Sequence, residues 1–278
     1  MKSEAFTQNG RFVLQRDLTI YDEFYIEIYD RLMLSDERAA TEVDQIVEMT
    51  QPSKKSSVIL DVGCGTGDFV ARFSELGYEV YGCDQSYEMI QKAKDKYPRV
   101  NLEQGDVLIP MLYDRDMFSH ILCTYYTIYE IEDKKLFFKN CYYWMKPGGY
   151  LILHLVDREQ FSPIIPSGRP YAVDNISDLK NYAGKRLKNT RIDFGDFTYE
   201  SIYNFDSMET DSLVVHIEEF EDKLNGNIRQ NEQTLYMEKT EDILKQAIRS
   251  GFFVKGKAIM QSCGGDQNQY LYILERTL

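Results

Sequence analysis

The chain contains no apolar run near the 18 or so residues that a membrane-spanning helix requires. Its charged start, with Lys2 and Glu4, is not followed by an apolar signal-peptide core. Cysteine is scattered: Cys64, Cys83, Cys123, Cys141 and Cys263 form no Cys-x-x-Cys pair, and five is an odd number for a disulfide framework. No cluster of metal ligands at suitable spacing is present, so no metal is expected. Together these absences point to a reducing, cytoplasmic setting without a membrane partner. Basic charge is also short. With 32 Lys and Arg against 45 Asp and Glu the net charge is −13, and no Lys/Arg cluster is interleaved with aromatics. Proteins that hold nucleic acid through its phosphates need a basic face, which disfavours RNA or DNA as a partner. Internal repeats and low-complexity tracts are missing too.

What is present suits one large domain, or a domain with a substantial insertion: 278 residues, 43% of them hydrophobic. The most informative stretch runs from Ile59 to Phe69. A short apolar run (Val58, Ile59, Leu60, Val62) carries Asp61 and ends at Gly63, Gly65 and Gly67, and an amphipathic stretch (Phe69, Val70, Phe73, Leu76) follows at once. That is strand, tight turn and helix, with the turn stripped of side chains where a ligand lies against main chain. A dinucleotide site needs G-x-G-x-x-G so that a pyrophosphate rests on the helix N-terminus. Here the third glycine comes one residue early and Asp68 puts a carboxylate where the pyrophosphate would sit. A ligand without phosphates suits this turn better.

Further segments follow in α/β alternation from Ser57 to about Val156. Tyr78, Val80 and Tyr81 alternate as a second strand ending in Asp84, 23 positions after Asp61, where an acid that binds a ribose diol falls in such a unit. Ser86 can cap a helix bearing Met89, Ile90, Ala93 and Tyr97 on one face. Asn101 to Val107, a buried strand from Phe118 to Cys123, and Lys146-Pro-Gly-Gly before an apolar run to Leu153 complete the series.

These motifs resemble the class I S-adenosylmethionine-dependent methyltransferases, whose first motif is an acid followed by G-x-G-x-G. The resemblance implies a Rossmann-like, mostly parallel seven-stranded sheet with helices on both faces, plus a small antiparallel sheet inserted after the fifth strand. It implies S-adenosylmethionine as cofactor, held by Asp61, Gly63, Gly65, Gly67, Asp84, Gln85, Met89, Asp106, Val107 and Cys123. In that scheme Asp84 accepts from the ribose hydroxyls, Asp106 from the adenine amino group, and the Val107 N–H meets a ring nitrogen. Four domains are expected: a helical lid segment over 1–56, the cofactor-binding core over 57–157, an antiparallel roof over 158–238, and a final helix and strands over 239–278. Residues 1 to about 56 read as helical, with Tyr21, Tyr25 and Tyr29 at four-residue spacing and a second helix capped at Ser35 or Asp36. Strands are expected over Phe197–Phe205, Leu213–Ile217 and Ile228–Met237, with Asn225-Gly226 as a tight hairpin, and Thr240 capping a helix that stops before Gly251. The loop Cys263 to Asn268 separates two last strands, Phe252–Ile259 and Tyr270–Leu274.

This layout is similar to the small-molecule N-methyltransferases of the glycine and amino-sugar type. It implies a small-molecule substrate, amine-bearing among the options, a monomer or homodimer, and N-methylation slightly ahead of O-methylation. Methylation of a protein or nucleic acid, and a silent cofactor-binding module, are the alternatives. Tyr21 and Tyr25 are expected to close over the cofactor, and Tyr125 and Tyr126 to face the transferred methyl. Some amino-sugar relatives carry a histidine a few positions after the fourth strand. This chain has Tyr129-Glu130 there, which leaves Glu130 as a carboxylate base or as a helix-start acid. His154 and His216 are the other histidines near the expected site, so Tyr126, Glu130 and His154 are the catalytic candidates. Ten Asp or Glu and no Lys or Arg lie between Asp193 and Asp222. That acidity protects strand edges or draws a cationic substrate.

Overall fold

A computed structural model describes residues 12–163, 189–205, 212–260 and 266–277. The chain divides into two compact units, one of residues 1–34 with 160–237, the other of residues 35–159 with 238–278. These boundaries differ from those read in the sequence. The first helical segment goes with the antiparallel sheet, and the second goes with the core.

The larger unit is built on a seven-stranded sheet. In chain order its strands are β2 (Val58–Val62), β3 (Glu79–Asp84), β4 (Asn101–Gln104), β5 (Phe118–Cys123), β6 (Met145–Val156), β11 (Phe252–Ile259) and β12 (Gln269–Arg276). They lie side by side as β11-β12-β6-β5-β2-β3-β4. The pairs β2–β3, β2–β5, β3–β4 and β5–β6 are parallel, whereas β12 runs antiparallel to both neighbours. The order reverses between β2 and β5, and in sheets of this kind ligands bind beyond the strand carboxyl ends at that point. Helices α2 (Ser35–Thr50), α3 (Asp68–Glu75) and α4 (Tyr87–Lys96) bring Ala39, Val43, Ile46, Val70, Phe73, Ile90 and Ala93 into one core with Ile59, Leu122 and Ile152. Alternation sends Ile121, Leu151 and Leu153 to the opposite face. Helix α5 (Thr127–Glu130) is a single turn after β5. Helix α6 (Lys134–Trp144) sets Phe138 and Tyr142 against Phe252 of β11, and α7 (Thr240–Arg249) packs beside it.

Ser86 caps α4 as its sequence suggested, accepting from the Met89 N–H at 3.1 Å. Thr240 does not cap α7. The N-cap is Lys239, and the Thr240 hydroxyl donates instead to the Val156 carbonyl at 2.8 Å, tying the helix to the end of β6.

The smaller unit is a five-stranded sheet ordered β1-β10-β9-β8-β7, made of β1 (Phe12–Arg16), β7 (Asn189–Asp193), β8 (Phe197–Asn204), β9 (Leu213–Asp222) and β10 (Ile228–Tyr236). The helical expectation for the first residues fails at β1, which pairs in parallel with β10, Phe12 opposite Ile228. Its residues, Phe-Val-Leu-Gln-Arg, carry the β-branched and aromatic side chains a strand tolerates, and only Val13 is buried. Helix α1 (Glu23–Met33) follows, its N-cap Asp22 accepting from the Tyr25 N–H. The β9–β10 connection is wider than a two-residue hairpin. Only Gly226 has positive φ, and Asp222 anchors the loop by accepting from the Leu224 N–H and the Asn225 side chain.

The inward face of this sheet sets a polar network among Phe197, Val214, Phe220 and Leu235. Glu218, 1% exposed, accepts from the hydroxyls of Tyr25 at 3.0 Å and Tyr199 at 2.8 Å and from the Asn231 amide at 3.1 Å. Buried Arg229 continues the network to Asn231, to Asp22 and to the Ile20 carbonyl. Of the ten acids between 193 and 222, Glu218 therefore points inward, while Asp206, Glu209 and Asp211 lie outside the described residues.

Candidate functional site

The glycine turn leaves β2 with Gly63, Gly65 and Gly67 all at positive φ, +68°, +52° and +86°. Glycine adopts these angles without the Cβ clash that other residues incur. At Gly63 space matters as well, since a Cβ there would lie 2.5 Å from Thr127 Cγ2. The turn is clamped to the next strand: the N–H groups of Gly63 and Cys64 both donate to the Cys83 carbonyl, at 2.8 and 3.1 Å. One residue further, the Gly65 N–H donates to Asp84 Oδ2 at 2.9 Å, and the Ser86 N–H donates to Asp84 Oδ1 at 2.8 Å. The strand-end acid is thus held against the glycine turn by two main-chain donors. An ionised carboxylate has about four lone-pair sites, so two remain for a ligand's hydroxyls. Burial raises the Asp84 pKa, and the bonds from Ser86 and Gly65 oppose that rise.

Asp68 opens α3. It accepts from Lys96 Nζ at 2.8 Å and from the Thr66 and Tyr97 hydroxyls, so the helix N-terminus is already supplied with an anion from its own chain. This leaves a phosphate no place there.

Asp61 is buried, and its pKa rises to about 8 through burial, then the nearby charges of Asp84 and Glu42, with Arg38 opposing. Arg38 and Glu42, one turn apart on α2, are both buried and joined at 2.8 Å. The Arg38 guanidinium carbon also sits 3.6 Å from the centroid of the Tyr125 ring. Tyr125 and Tyr126 follow β5 with φ of +43° and +64°, two successive non-glycine residues in the left-handed region. Strain of this kind costs about 1–3 kcal/mol per residue and concentrates at ligand sites. Beyond them, the Tyr126 hydroxyl and His154 Nε2 both lie 3.1 Å from Gln269 Oε1. Burial, and secondly the Arg38 charge, lower the His154 pKa to about 3.

The remaining residues expected at a cofactor site are distributed more widely. Gln85 is exposed and Met89 is buried. Asp106 forms a local turn, accepting from the Leu108 N–H at 2.8 Å, while the Val107 carbonyl accepts from Asn140 at 2.9 Å. The Cys123 side chain is fully buried, and burial pushes its thiol pKa up, so only its main chain is suited to face a ligand. Glu130 is the exposed last residue of α5 and stays outside the buried cluster. Tyr21 and Tyr25 belong to the smaller unit, where Tyr21 accepts from Gln233 and Tyr25 is committed to Glu218. His216 belongs there too, stacked 4.2 Å from Tyr203.

Sequence reasoning missed Arg38, Glu42, Thr127 and Gln269. A signal existed for the first pair, because Arg38 and Glu42 form an i,i+4 ion pair bordering the Ala39–Val43 stripe. None existed for Gln269, which precedes Tyr270 at the start of an ordinary strand. Among the described residues no group of three or more His, Cys, Asp or Glu is placed to hold a metal, and no helix is long and apolar enough to cross a membrane. A separate cavity of about 330 Å³ in this unit, lined by Arg158, Lys239, Lys257 and Tyr270 among others, contains none of the motif residues.

Residues 59–149 match the family described as "Methyltransferase domain". A demethylmenaquinone methyltransferase of Chlorobaculum parvum is 32% identical over 149 residues, covering 52% of this chain and 56% of that protein, little more than half its length. A glycine/sarcosine N-methyltransferase of Aphanothece halophytica is 24% identical over 66% of this chain and 72% of its own. The fold is shared with the S-adenosylmethionine-bound amino pentose methyltransferase of Micromonospora echinaspora, with a TM-score of 0.60, 18% identity, and coverage of 92% and 98% of the two chains. Residues 59–149 thus carry a methyltransferase domain, and the class I S-adenosylmethionine-dependent methyltransferases are the family this chain resembles.

Proposed function

We propose that this protein transfers a methyl group from S-adenosylmethionine to a small molecule, with nitrogen slightly ahead of oxygen as the atom methylated. The observation that carries this reading is the hydrogen bond from the Gly65 N–H to Asp84, which sets a carboxylate suited to a ribose diol beside a glycine-lined turn. The donor set fits this cofactor. Asp84 retains lone pairs for the ribose, the turn admits close approach, and Asp68 with Lys96 fills the position a pyrophosphate would need. Arg38 supplies the buried cation that the cofactor's own carboxylate calls for, and the Tyr125 and Tyr126 rings offer π faces to a sulfonium.

Bound S-adenosylmethionine would supply an activated methyl whose carbon–sulfur electron pair returns to a neutral thioether as the substrate's lone pair takes the carbon. The chain's own residues position the reactants and exclude water, and orientation of this kind lowers a barrier by about 7–11 kcal/mol in favourable cases. Tyr126 and His154 are the residues we place nearest the reacting atoms, whereas Glu130, being exposed, is the weaker candidate. The four described cysteines are free and buried, which supports a reducing, cytoplasmic setting. The acidic balance supports a partner other than nucleic acid. Incubating the protein with methyl-labelled cofactor and a metabolite extract tests the proposal: label in a small product supports it. Tight binding of cofactor without any transfer, or label in protein or RNA alone, overturns it.

A further inference from the structure

Resting on that reading, we propose that Gln269 is a positioning residue: it fixes His154 as the Nε2–H tautomer and so leaves the Nδ1 lone pair to receive the N–H or O–H of the substrate's nucleophile. The geometry is a fork. Gln269 Oε1 stands 3.1 Å from the Tyr126 hydroxyl and 3.1 Å from His154 Nε2. An amide oxygen only accepts, and its two lone pairs are used by these two donors. A neutral imidazole whose Nε2 carries the hydrogen must present a bare lone pair at Nδ1.

That second nitrogen is buried and has no hydrogen-bond partner among the described residues. A buried polar atom without a partner is costly, and such an atom calls for a ligand or a functional explanation. Its surroundings are aromatic and cationic. The Tyr126 ring lies 4.9 Å from the imidazole and the Tyr125 ring 6.5 Å, centroid to centroid, while α2 contributes the Arg38 charge. Burial and that charge keep the ring neutral well below physiological pH, so His154 acts as a lone-pair acceptor and stores no proton. After methyl transfer an amine product keeps that hydrogen as its ammonium and gives it to solvent on release, so the imidazole never takes it.

The arrangement defines a substrate class. A neutral primary or secondary amine, or a hydroxyl, has a hydrogen to give to Nδ1 and a lone pair left for the methyl. A neutral tertiary amine has no such hydrogen and gains nothing from the contact, so transfer onto nitrogen should stop at the tertiary amine.

The chain has three histidines, which makes nitrogen-15 histidine NMR tractable. In the wild-type protein His154 should show the Nε2–H pattern and remain neutral at pH 5. Gln269→Met should mix the two tautomers. Gln269→Glu should bring the imidazole into titration between pH 5 and 8, since a carboxylate in place of the amide favours the imidazolium. Both variants should bind S-adenosylhomocysteine within threefold of wild type while label transfer to the extract falls at least tenfold in kcat. An Nδ1–H pattern in the wild type, an unchanged tautomer in Gln269→Met, or full turnover by that variant overturns the proposal. Should the wild type bind no S-adenosylhomocysteine, it is the methyltransferase reading that fails, and the wild-type spectrum still decides the tautomer on its own.

Discussion

Asp61 and Gly63 show how much of this site rests on single residues at the end of β2. Asp61 is a carboxyl whose folded pKa lies near 8 against an ordinary value of 3.8. The sign follows from proton counts: between those values the folded chain holds a proton that the unfolded chain releases. The stability this proton confers is complete below about pH 3.8 and is lost as pH rises towards 8. We expect Asp61→Asn, which cannot ionise, to gain stability over wild type progressively from pH 5 to pH 8 in urea unfolding. Parallel curves would mean that Asp61 titrates normally. At Gly63, alanine meets both a positive φ and Thr127 Cγ2 at 2.5 Å, so Gly63→Ala should cost about 1–3 kcal/mol. Adding Thr127→Ala should recover part of the loss, because the γ atoms leave but the backbone strain stays. A double-mutant cycle showing strict additivity would refute the contact. The glycines and Asp84 were legible in the sequence because backbone conformation and close approach impose residue type at fixed spacing. Arg38 and Gln269 were not, because only the folded chain brings Arg38 against the Tyr125 ring and Gln269 beside His154.

Elements show the same division. The parallel strands and the helices between them were readable, since Val58–Val62 or Phe118–Cys123 can hardly be anything but buried strands once bounded by turns. β1 was not, because its partner Ile228–Glu232 is more than 200 positions away and its own residues are mostly exposed. The polar network inside the small sheet was hidden for a related reason. Period-2 alternation identifies the face of Glu218, but nothing local says that Tyr25, Tyr199 and Asn231 will converge on it. That convergence carries a prediction. Glu218→Leu strips three buried donors of their acceptor and should destabilise by about 3–5 kcal/mol. Glu218→Gln keeps one oxygen acceptor and should lose less. Equal losses for the two variants, measured by denaturant unfolding, would show that shape and not hydrogen bonding holds the strand.

For the molecule as a whole, ligand linkage offers the broadest test, because only a ligand that prefers the folded state raises the unfolding temperature. S-adenosylhomocysteine at a hundred times its Kd should add about 2.7 kcal/mol of stability. For a chain of this size that corresponds to an upward shift of roughly 5–10 °C. A nicotinamide dinucleotide should give no shift at matched concentration. Its pyrophosphate would meet the Asp68 carboxylate at the start of α3, already paired with Lys96, and the glycine spacing leaves no second cradle in that turn. The net charge of −13 works in the same direction, since every phosphate brought to the surface adds to the repulsion. The two ligands share an adenosine, so a shift with both would show that only the adenosine half is recognised and that Arg38 has no carboxylate to meet. A shift with S-adenosylhomocysteine alone, abolished by Asp84→Ala and reduced by Arg38→Met, would assign the diol to one residue and the amino-acid tail to the other.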